Sequence, residues 1–240
     1  MDPLIIVSLG VAAFISGIIG GLVGLGSGII MIAVLTFAFG IRDAVPIVTL
    51  SLLVQAWPRV WTNRSLIDFG VVKWFSLGAL PAAVLGSIAF ANLPAALLKT
   101  ALAIFLMLMV LYRRTPFGRD MPVSLRRFCL VGLGQGFLSA LFGGAGAFGA
   151  PFFLSYGLRR GAFVGTMASG LILNSLVKVT VYGTYKLFDG QGLVIGLSLG
   201  AIMVGGGYLG GMLVQRVSDK SFVYIVETVM VVAAVSLLLH

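Results

Sequence analysis

Residues 20–32 read GGLVGLGSGIIMI, a glycine-rich stretch inside an otherwise apolar run. Glycine is about 1 kcal/mol less favourable than alanine in a helix interior, so a helix that only crossed a membrane would not need this cluster. The stretch therefore predicts an interruption in a helix, and residues 27–39 are predicted to form a new and short helix after it.

The composition indicates a membrane protein built from helices. Of the 240 residues, 60% are hydrophobic and 10% are charged, whereas about 25% of the residues in a typical soluble domain are charged. Several apolar runs approach or exceed the roughly 18–20 residues that span hydrocarbon, and they do not alternate as barrel strands do. We expect an all-α polytopic membrane protein and, because the N-terminal residues carry no basic region, no cleaved signal peptide.

The titratable residues argue against an enzyme and against a metal site. The only histidine is His240 and the only cysteine is Cys129, so a catalytic triad, a cysteine cluster and a histidine metal site are not expected. No stretch matches the phosphate-binding motif G-x-x-x-x-G-K-[ST]. We therefore expect no enzymatic activity and no cofactor. The net charge of +9 is interpreted as a topology signal rather than as affinity for nucleic acid, although it also favours an anionic substrate.

The predicted helices recur in two halves. They span residues 3–24, 27–39, 43–57, 70–91 and 95–112 in the first half, and residues 128–142, 146–157, 160–186, 192–214 and 220–239 in the second. The tetrapeptide SLGA occurs at residues 76–79 and again at residues 198–201. We interpret residues 1–112 and 128–240 as homologous halves of one transmembrane domain, joined by a basic linker at residues 113–127.

Basic residues predict the orientation of the chain. Five arginines lie in the linker, a second basic loop is predicted around Arg59, Arg64 and Lys73, and the positive-inside rule places these loops on the cytoplasmic side of the cell (inner) membrane. The two halves are then inverted, with both termini outside. Arg159 fits this topology only if the two helices before it both cross the membrane or if it lies at a re-entrant hairpin. Arg42 and Arg159 are either surface topology markers or residues at hairpin tips that face a cavity.

The two glycine-rich segments predict an anion-binding site. Two triplets correspond to each other, Gly26, Ser27 and Gly28 in the first half and Gly144, Ala145 and Gly146 in the second. Each precedes a helix of about 12 residues, too short for a bilayer core of roughly 30 Å, so we expect broken or re-entrant helices. A helix N-terminus freed in this way attracts an anion. The alternative is that these glycines serve only close helix packing.

Polar residues inside the apolar segments are further candidates for substrate binding, because each needs a partner in lipid. These residues are Thr49, Gln55, Thr166, Asn174 and Lys178. Lys178 either neutralises a bound anion or extends its ammonium group to the membrane interface. The two threonine hydroxyls either line the site or bond back to their own helix.

The segments GLVGLGSGII at residues 21–30 and LFGGAGAFGAPFF at residues 141–153 resemble the two signature segments of the TauE/SafE sulfite-exporter family of membrane permeases. The length, the duplication and the basic central loop agree with this resemblance over nearly the whole chain. It implies transport of a sulfur-containing anion such as sulfite, thiosulfate or an organosulfonate. Ser27 and Ala145 stand where the family has glycine, so the two halves need not contribute equally and the substrate need not be sulfite.

The leading hypothesis is a secondary transporter that alternates access to a midplane site between the two helix breaks. The alternative is a channel or porter for another small solute, in which the glycines serve packing and gating. The expected partners are a small anion, the lipid bilayer and a coupling proton or other ion, and Glu227 is the only acidic residue well inside a predicted span. Glycine-rich surfaces permit a homodimer but do not require one.

Overall fold

The computed structural model describes residues 3–23, 26–114 and 123–213, and within them it contains nine α-helices and no strand. The helices are α1 (Pro3–Val23), α2 (Ser27–Phe39), α3 (Ile41–Thr62), α4 (Phe69–Asn92), α5 (Ala95–Arg114), α6 (Phe128–Phe142), α7 (Gly146–Ser155), α8 (Arg160–Thr184) and α9 (Gly190–Leu213). Six of them, α1, α3, α4, α5, α8 and α9, are long and apolar enough to cross a membrane. The prediction of an all-α polytopic protein is confirmed, whereas the predicted helix at residues 220–239, with Glu227, lies outside the described residues.

Helix α3 continues past the position where the sequence analysis ends it. Pro58 removes one backbone donor and favours a stop, yet the helix runs on to Thr62. Neighbouring helices pack along α3, and in a membrane protein such packing lets a helix tolerate an internal proline. The extension corrects the predicted basic loop, because it places Arg59 inside a helix.

The short helix α2 is buried in the centre of the bundle, whereas four of the ten residues of the short helix α7 are buried. Helix α2 has the sequence SGIIMIAVLTFAF, which has no charged face, and nine of its 13 residues are buried. An apolar surface on all sides is typical of a helix that is surrounded by protein or lipid. At a rise of 1.5 Å per residue, α2 and the ten residues of α7 are about 20 and 15 Å long, which is shorter than a bilayer core.

Helices α6 and α7 form an antiparallel hairpin, so the chain enters and leaves at the same end of the bundle. At the open end of the hairpin the rings of Phe128 and Tyr156 lie 5.3 Å apart, and nearer the tip Gly149 packs against the side chain of Gln135. The geometry is re-entrant. Arg159, which lies four residues beyond the end of α7, is therefore at the end where α6 begins.

Helices α1 and α2 form a second hairpin that enters from the opposite end of the bundle. Helix α1 runs parallel to α9, and α9 runs parallel to α3, so all three have the same direction. Glycine contacts establish these directions: Gly17 with Met203, Gly21 with Gly207, Gly196 with Leu50 and Gly200 with Val54. Because α2 leads into the start of α3, it returns to the end from which α1 came.

One end of the bundle carries five of the ten basic side chains that the structure describes, and we call it the basic end. Helix α3 ends there, and α4, α6 and α8 begin there. A Cβ added to Gly161 would lie 2.5 Å from Asn63 Oδ1, and the backbone N–H of Asp68 donates to Thr166 Oγ1 at 3.0 Å. The basic residues at this end are Arg64, Lys73, Arg126, Arg127 and Arg159.

Helices of each half exchange packing partners, so that they pack on helices of the other half. Helix α1 packs on α9 while α6 packs on α4, and α3 contacts α9 while α8 contacts α4. Opposite entry of the two hairpins and this exchange of partners are what an inverted repeat would produce. The inverted repeat and the division at residues 113–127 stay predictions, because the counterpart of α5 lies outside the described residues.

Candidate functional site

The two hairpin tips meet in the centre of the bundle. Gly26 has φ +95° directly before α2, and Gly143 has φ +77° directly after α6. Residues other than glycine rarely adopt these backbone angles, so glycine allows each helix to stop and the chain to reverse. The glycine clusters therefore mark helix breaks, as the sequence predicts.

At the tips, the backbone of Gly28 lies against the backbone of Gly144. A Cβ built on Gly28 would be 3.4 Å from Gly144 Cα, and a Cβ built on Gly144 would be 3.2 Å from Gly28 Cα. Since these residues belong to opposite hairpins, the N-terminal ends of α2 and α7 lie close together. The first N–H groups of a helix have no acceptor within that helix, and the helix dipole adds positive potential there.

A central cavity of about 50 Å³ lies beside the two tips. Its lining combines the tips with side chains from α3 and α8. The residues that bear on its chemistry are Gly26, Ser27, Gly28, Gln55, Arg59, Gly144 and Gly146. The remainder of the lining is mostly apolar and comes in large part from α8, so the polar groups are concentrated on the side of α2 and α3.

Two buried donors in this lining have no hydrogen-bond partner among the described residues. They are Gln55 Nε2 and Arg59 Nη2. The other end of the Gln55 amide is held, because Ser27 Oγ donates to Gln55 Oε1 at 3.0 Å. The side chain of Gln55 is 3% exposed, and a buried donor without an acceptor is energetically costly, so the arrangement suits a ligand that accepts hydrogen bonds.

A smaller cavity of about 20 Å³ lies on the other side of the second tip. Lys178 lines it and is 2% exposed, so its ammonium group does not extend to a membrane interface. Instead Lys178 Nζ donates to the carbonyl oxygens of Ser139 and Gly143, both at 3.3 Å. A cation suits this position, because the C-terminal end of a helix carries unpaired carbonyl groups and negative potential.

Asn174 completes the polar wall of the small cavity. Its Nδ2 donates to Ser139 Oγ at 2.6 Å, while its Oδ1 has no partner among the described residues. Gln135 Oε1 is likewise buried without a partner there. The small cavity therefore contains a cation and two incompletely bonded amides.

An outer cavity of about 330 Å³ adjoins the central cavity near the basic end. Gln55, Arg59 and Val164 line both cavities. The outer cavity continues along the last turns of α3, to Thr62 and Asn63, and along the C-terminal part of α9. A solute that entered from the basic end would reach Arg59 and Gln55 before it reached the tips.

Most of the predicted site residues line these cavities. Gly26, Ser27, Gly28, Gln55, Gly144 and Gly146 line the central one, and Gly144, Ala145, Gly146, Asn174 and Lys178 line the small one. The two threonines line none of the three cavities. Thr49 Oγ1 bonds back to Val45 O at 2.8 Å, and Thr166 Oγ1 accepts the N–H of Asp68 at the basic end.

Three residues that line the cavities are not among the predicted site residues: Arg59, Gln135 and Ser139. Arg59 falls in a predicted basic loop, since the helix before it is predicted to end at residue 57. The signal that could have identified it is spacing, because Arg59 follows Gln55 by four residues as Lys178 follows Asn174. Gln135 is a polar residue inside the predicted helix at residues 128–142, and this by itself makes it a candidate.

The two arginines beside the short helices have different environments. Arg42 donates to the carbonyl oxygens of Phe90, Ala91 and Leu93 and so caps the C-terminal end of α4. It lines none of the three cavities. Arg159 is exposed at the basic end, directly before α8. Neither arginine faces the tips.

Among the described residues, no group of three or more histidine, cysteine, aspartate or glutamate side chains could hold a metal ion.

A family model described as "Sulfite exporter TauE/SafE" matches residues 9–237, which is nearly the whole chain. No curated protein and no solved structure matches the chain.

Proposed function

Because the chain belongs to the sulfite exporter TauE/SafE family, we propose that it is a secondary permease that moves a small sulfur-containing anion such as sulfite, thiosulfate or an organosulfonate. The observation that carries the proposal is the contact of Gly28 with Gly144 beside the central cavity. It brings the N-terminal ends of two broken helices together at one place.

An oxyanion in the central cavity would find donors from several directions. Freed backbone N–H groups of α2 and α7 would approach it where glycine leaves no Cβ in the way. Gln55 Nε2 and Arg59 Nη2 are buried at the same cavity without other acceptors among the described residues. Hydrogen bonds between charged groups are stronger than neutral ones, so Arg59 would contribute most to anion binding.

Alternating access is the mechanism that the arrangement of the helices supports. The two hairpins come from opposite ends, and the cavities on the two sides of the second tip differ in size. In the present conformation the site connects to the outer cavity at the basic end. By the positive-inside rule this end faces the cytoplasm of the cell membrane, with the linker at residues 113–127 on the same side.

Transport would run down a gradient or be coupled to an ion, because the sequence has no ATP-binding motif. A proton is one candidate for the coupling ion.

Among non-transport functions, catalysis has the least support, since no triad or metal site is expected from the sequence. The competing function is a channel or porter for another small solute, in which the glycines serve packing and gating. Gly21 and Gly132 favour this packing role, because each lies directly against the backbone of a neighbouring helix.

Anion-dependent thermal stabilisation of the purified protein tests the proposal. We expect one of sulfite, thiosulfate, sulfate and methanesulfonate to raise the melting temperature progressively as its concentration exceeds its dissociation constant. Gly28→Leu and Gly144→Leu should abolish this rise, because each new side chain would fill the contact between the tips. Gly205→Leu is the matched control, since no atom lies within 4 Å of a Cβ at that position. If none of the four anions stabilises the wild-type protein at tens of millimolar, the competing function is favoured.

A further inference from the structure

An eight-residue pattern occurs on α3 and again on α8. It reads Leu52-x-x-Gln55-Ala56-x-x-Arg59 on α3 and Leu171-x-x-Asn174-Ser175-x-x-Lys178 on α8, and each member is 119 residues from its counterpart. In both copies the amide precedes the cation by four residues. Residues at this spacing lie on the same face of a helix, one turn apart, so each helix presents an amide and a cation together.

Each cation contacts the end of the broken helix in its own half. A Cβ on Gly20 would lie 2.8 Å from Arg59 Nη2, so the guanidinium lies against the last turn of α1. Lys178 Nζ donates to Ser139 O and Gly143 O in the last turn of α6 and just beyond it. Gly20 and Ser139 are again 119 residues apart. The correspondence therefore extends from the sequence pattern to the contacts of the cations.

Each amide is held by a serine of the hairpin in its own half. Ser27 Oγ bonds to the amide of Gln55, and Ser139 Oγ bonds to the amide of Asn174. The other polar atom of each amide is buried and unpaired among the described residues. A serine hydroxyl can donate or accept. If Ser139 Oγ gives up its bond to Gly136 O and donates to Asn174 Oδ1 instead, the Asn174 amide turns over and presents its N–H groups in the way that Gln55 already does.

The two pairs differ in access and in the partner of the cation. Arg59 and Gln55 line both the central and the outer cavity, and Arg59 Nη2 has no acceptor among the described residues. Lys178 lines only the small cavity of about 20 Å³, and its ammonium group already has two carbonyl partners. Leu52 and Leu171, which are counterparts, line both the central and the small cavity and separate them.

We propose that Gln55 with Arg59, and Asn174 with Lys178, are two equivalent anion-binding pairs that are used in alternation. The first pair binds the anion when the protein is open at the basic end, while Lys178 is held by the carbonyls of its helix break. The second pair binds the anion when the protein is open at the opposite end. This inference rests on the proposed function, because it assumes an anionic substrate and alternating access.

Binding at the basic end can be measured separately with a cysteine reporter. In a Cys129→Ala background, Ala56→Cys places a thiol in the lining of the central cavity. A membrane-impermeant thiosulfonate reagent, added at the basic end in oriented vesicles, should modify this thiol. The best-bound of the four anions should slow this modification more than it slows that of a thiol at exposed Ser65 (Ser65→Cys), which corrects for the reagent that sulfite and thiosulfate consume directly. The anion concentration that gives half protection measures affinity in the conformation open at the basic end. Exchange of the same anion in proteoliposomes measures the full cycle.

The two cations should then behave differently. Arg59→Gln should raise the half-protecting concentration at least tenfold and also reduce exchange. Lys178→Gln should leave the half-protecting concentration within threefold of the parent and reduce exchange at least tenfold. Gln55→Ala and Asn174→Ala should repeat this contrast without removing a charge, which keeps the test valid if Lys178→Gln does not fold. Arg59→Lys and Lys178→Arg should recover part of each loss.

Two results would overturn the inference while the proposed function stands. One is equal loss of protection at the basic end in the Arg59 and Lys178 variants, since both cations would then serve one site at once. The other is full protection in the folded Arg59→Gln protein. If no anion protects the parent protein or stabilises it thermally, the proposed function and the paired sites both fail.

Discussion

Ser27 Oγ lies 3.0 Å from Gln55 Oε1, and this hydrogen bond joins the start of α2 to the middle of α3. The hydroxyl of Ser27 therefore does not point at a ligand, although serine in place of the family's glycine would suggest an additional donor. Its effect is indirect, because it fixes the amide of Gln55 so that Nε2 is left for another acceptor. Ser16 supports the same place by donating to Ser27 O at 2.7 Å.

The first prediction concerns this bond. Ser27→Ala leaves the buried Gln55 Oε1 without its donor, which we expect to lower the free energy of unfolding by about 1–3 kcal/mol. We also expect anion binding to weaken several-fold, because the Gln55 amide is no longer held in one orientation. Ser8→Ala is the control, since the Ser8 hydroxyl is exposed and bonds only to Ile5 O of its own helix. Equal unfolding midpoints for the two variants would contradict the assigned role.

The second prediction concerns the contact between α4 and α6. A Cβ on Gly132 would lie 2.0 Å from Phe75 O, a backbone atom that cannot move without separating the helices. We expect Gly132→Ala to destabilise the protein by about 1–3 kcal/mol, as overpacking of a close contact does. Gly205→Ala should be neutral or slightly stabilising, because its Cβ meets nothing within 4 Å and alanine favours a helix. Thermal unfolding in detergent measures both variants, and Gly205→Ala should have the higher melting temperature. A higher melting temperature for Gly132→Ala would contradict the prediction.

The third prediction concerns Arg42. Arg42→Ala leaves the carbonyl groups at the end of α4 without their charged donor, and we expect a loss of about 1.5–3 kcal/mol in the free energy of unfolding. Arg42→Lys should retain part of the stability, since a single ammonium group reaches fewer carbonyls than a guanidinium. Anion-dependent stabilisation of the folded variants should match that of the wild type. A lost anion response in folded Arg42→Lys would instead place this arginine in the transport path.

The sequence alone determined the helices, the breaks and the family. Hydropathy and glycine content act through a few neighbouring residues, so the short helix at residues 27–39 and the break before residue 146 could be read directly. The predicted end of α3 at residue 57 is wrong, because packing by neighbouring helices outweighs the local effect of Pro58 and the helix continues to Thr62.

Only the tertiary structure decided which residues meet. Gly28 and Gly144 are more than 100 residues apart, and their contact depends on two hairpins that enter from opposite ends. In the same way, the sequence left two roles open for Lys178, and its burial against the carbonyls of Ser139 and Gly143 excludes the membrane interface. Local propensity sets where a helix begins and ends, whereas the neighbours of a side chain are set by helix crossings that no local pattern specifies.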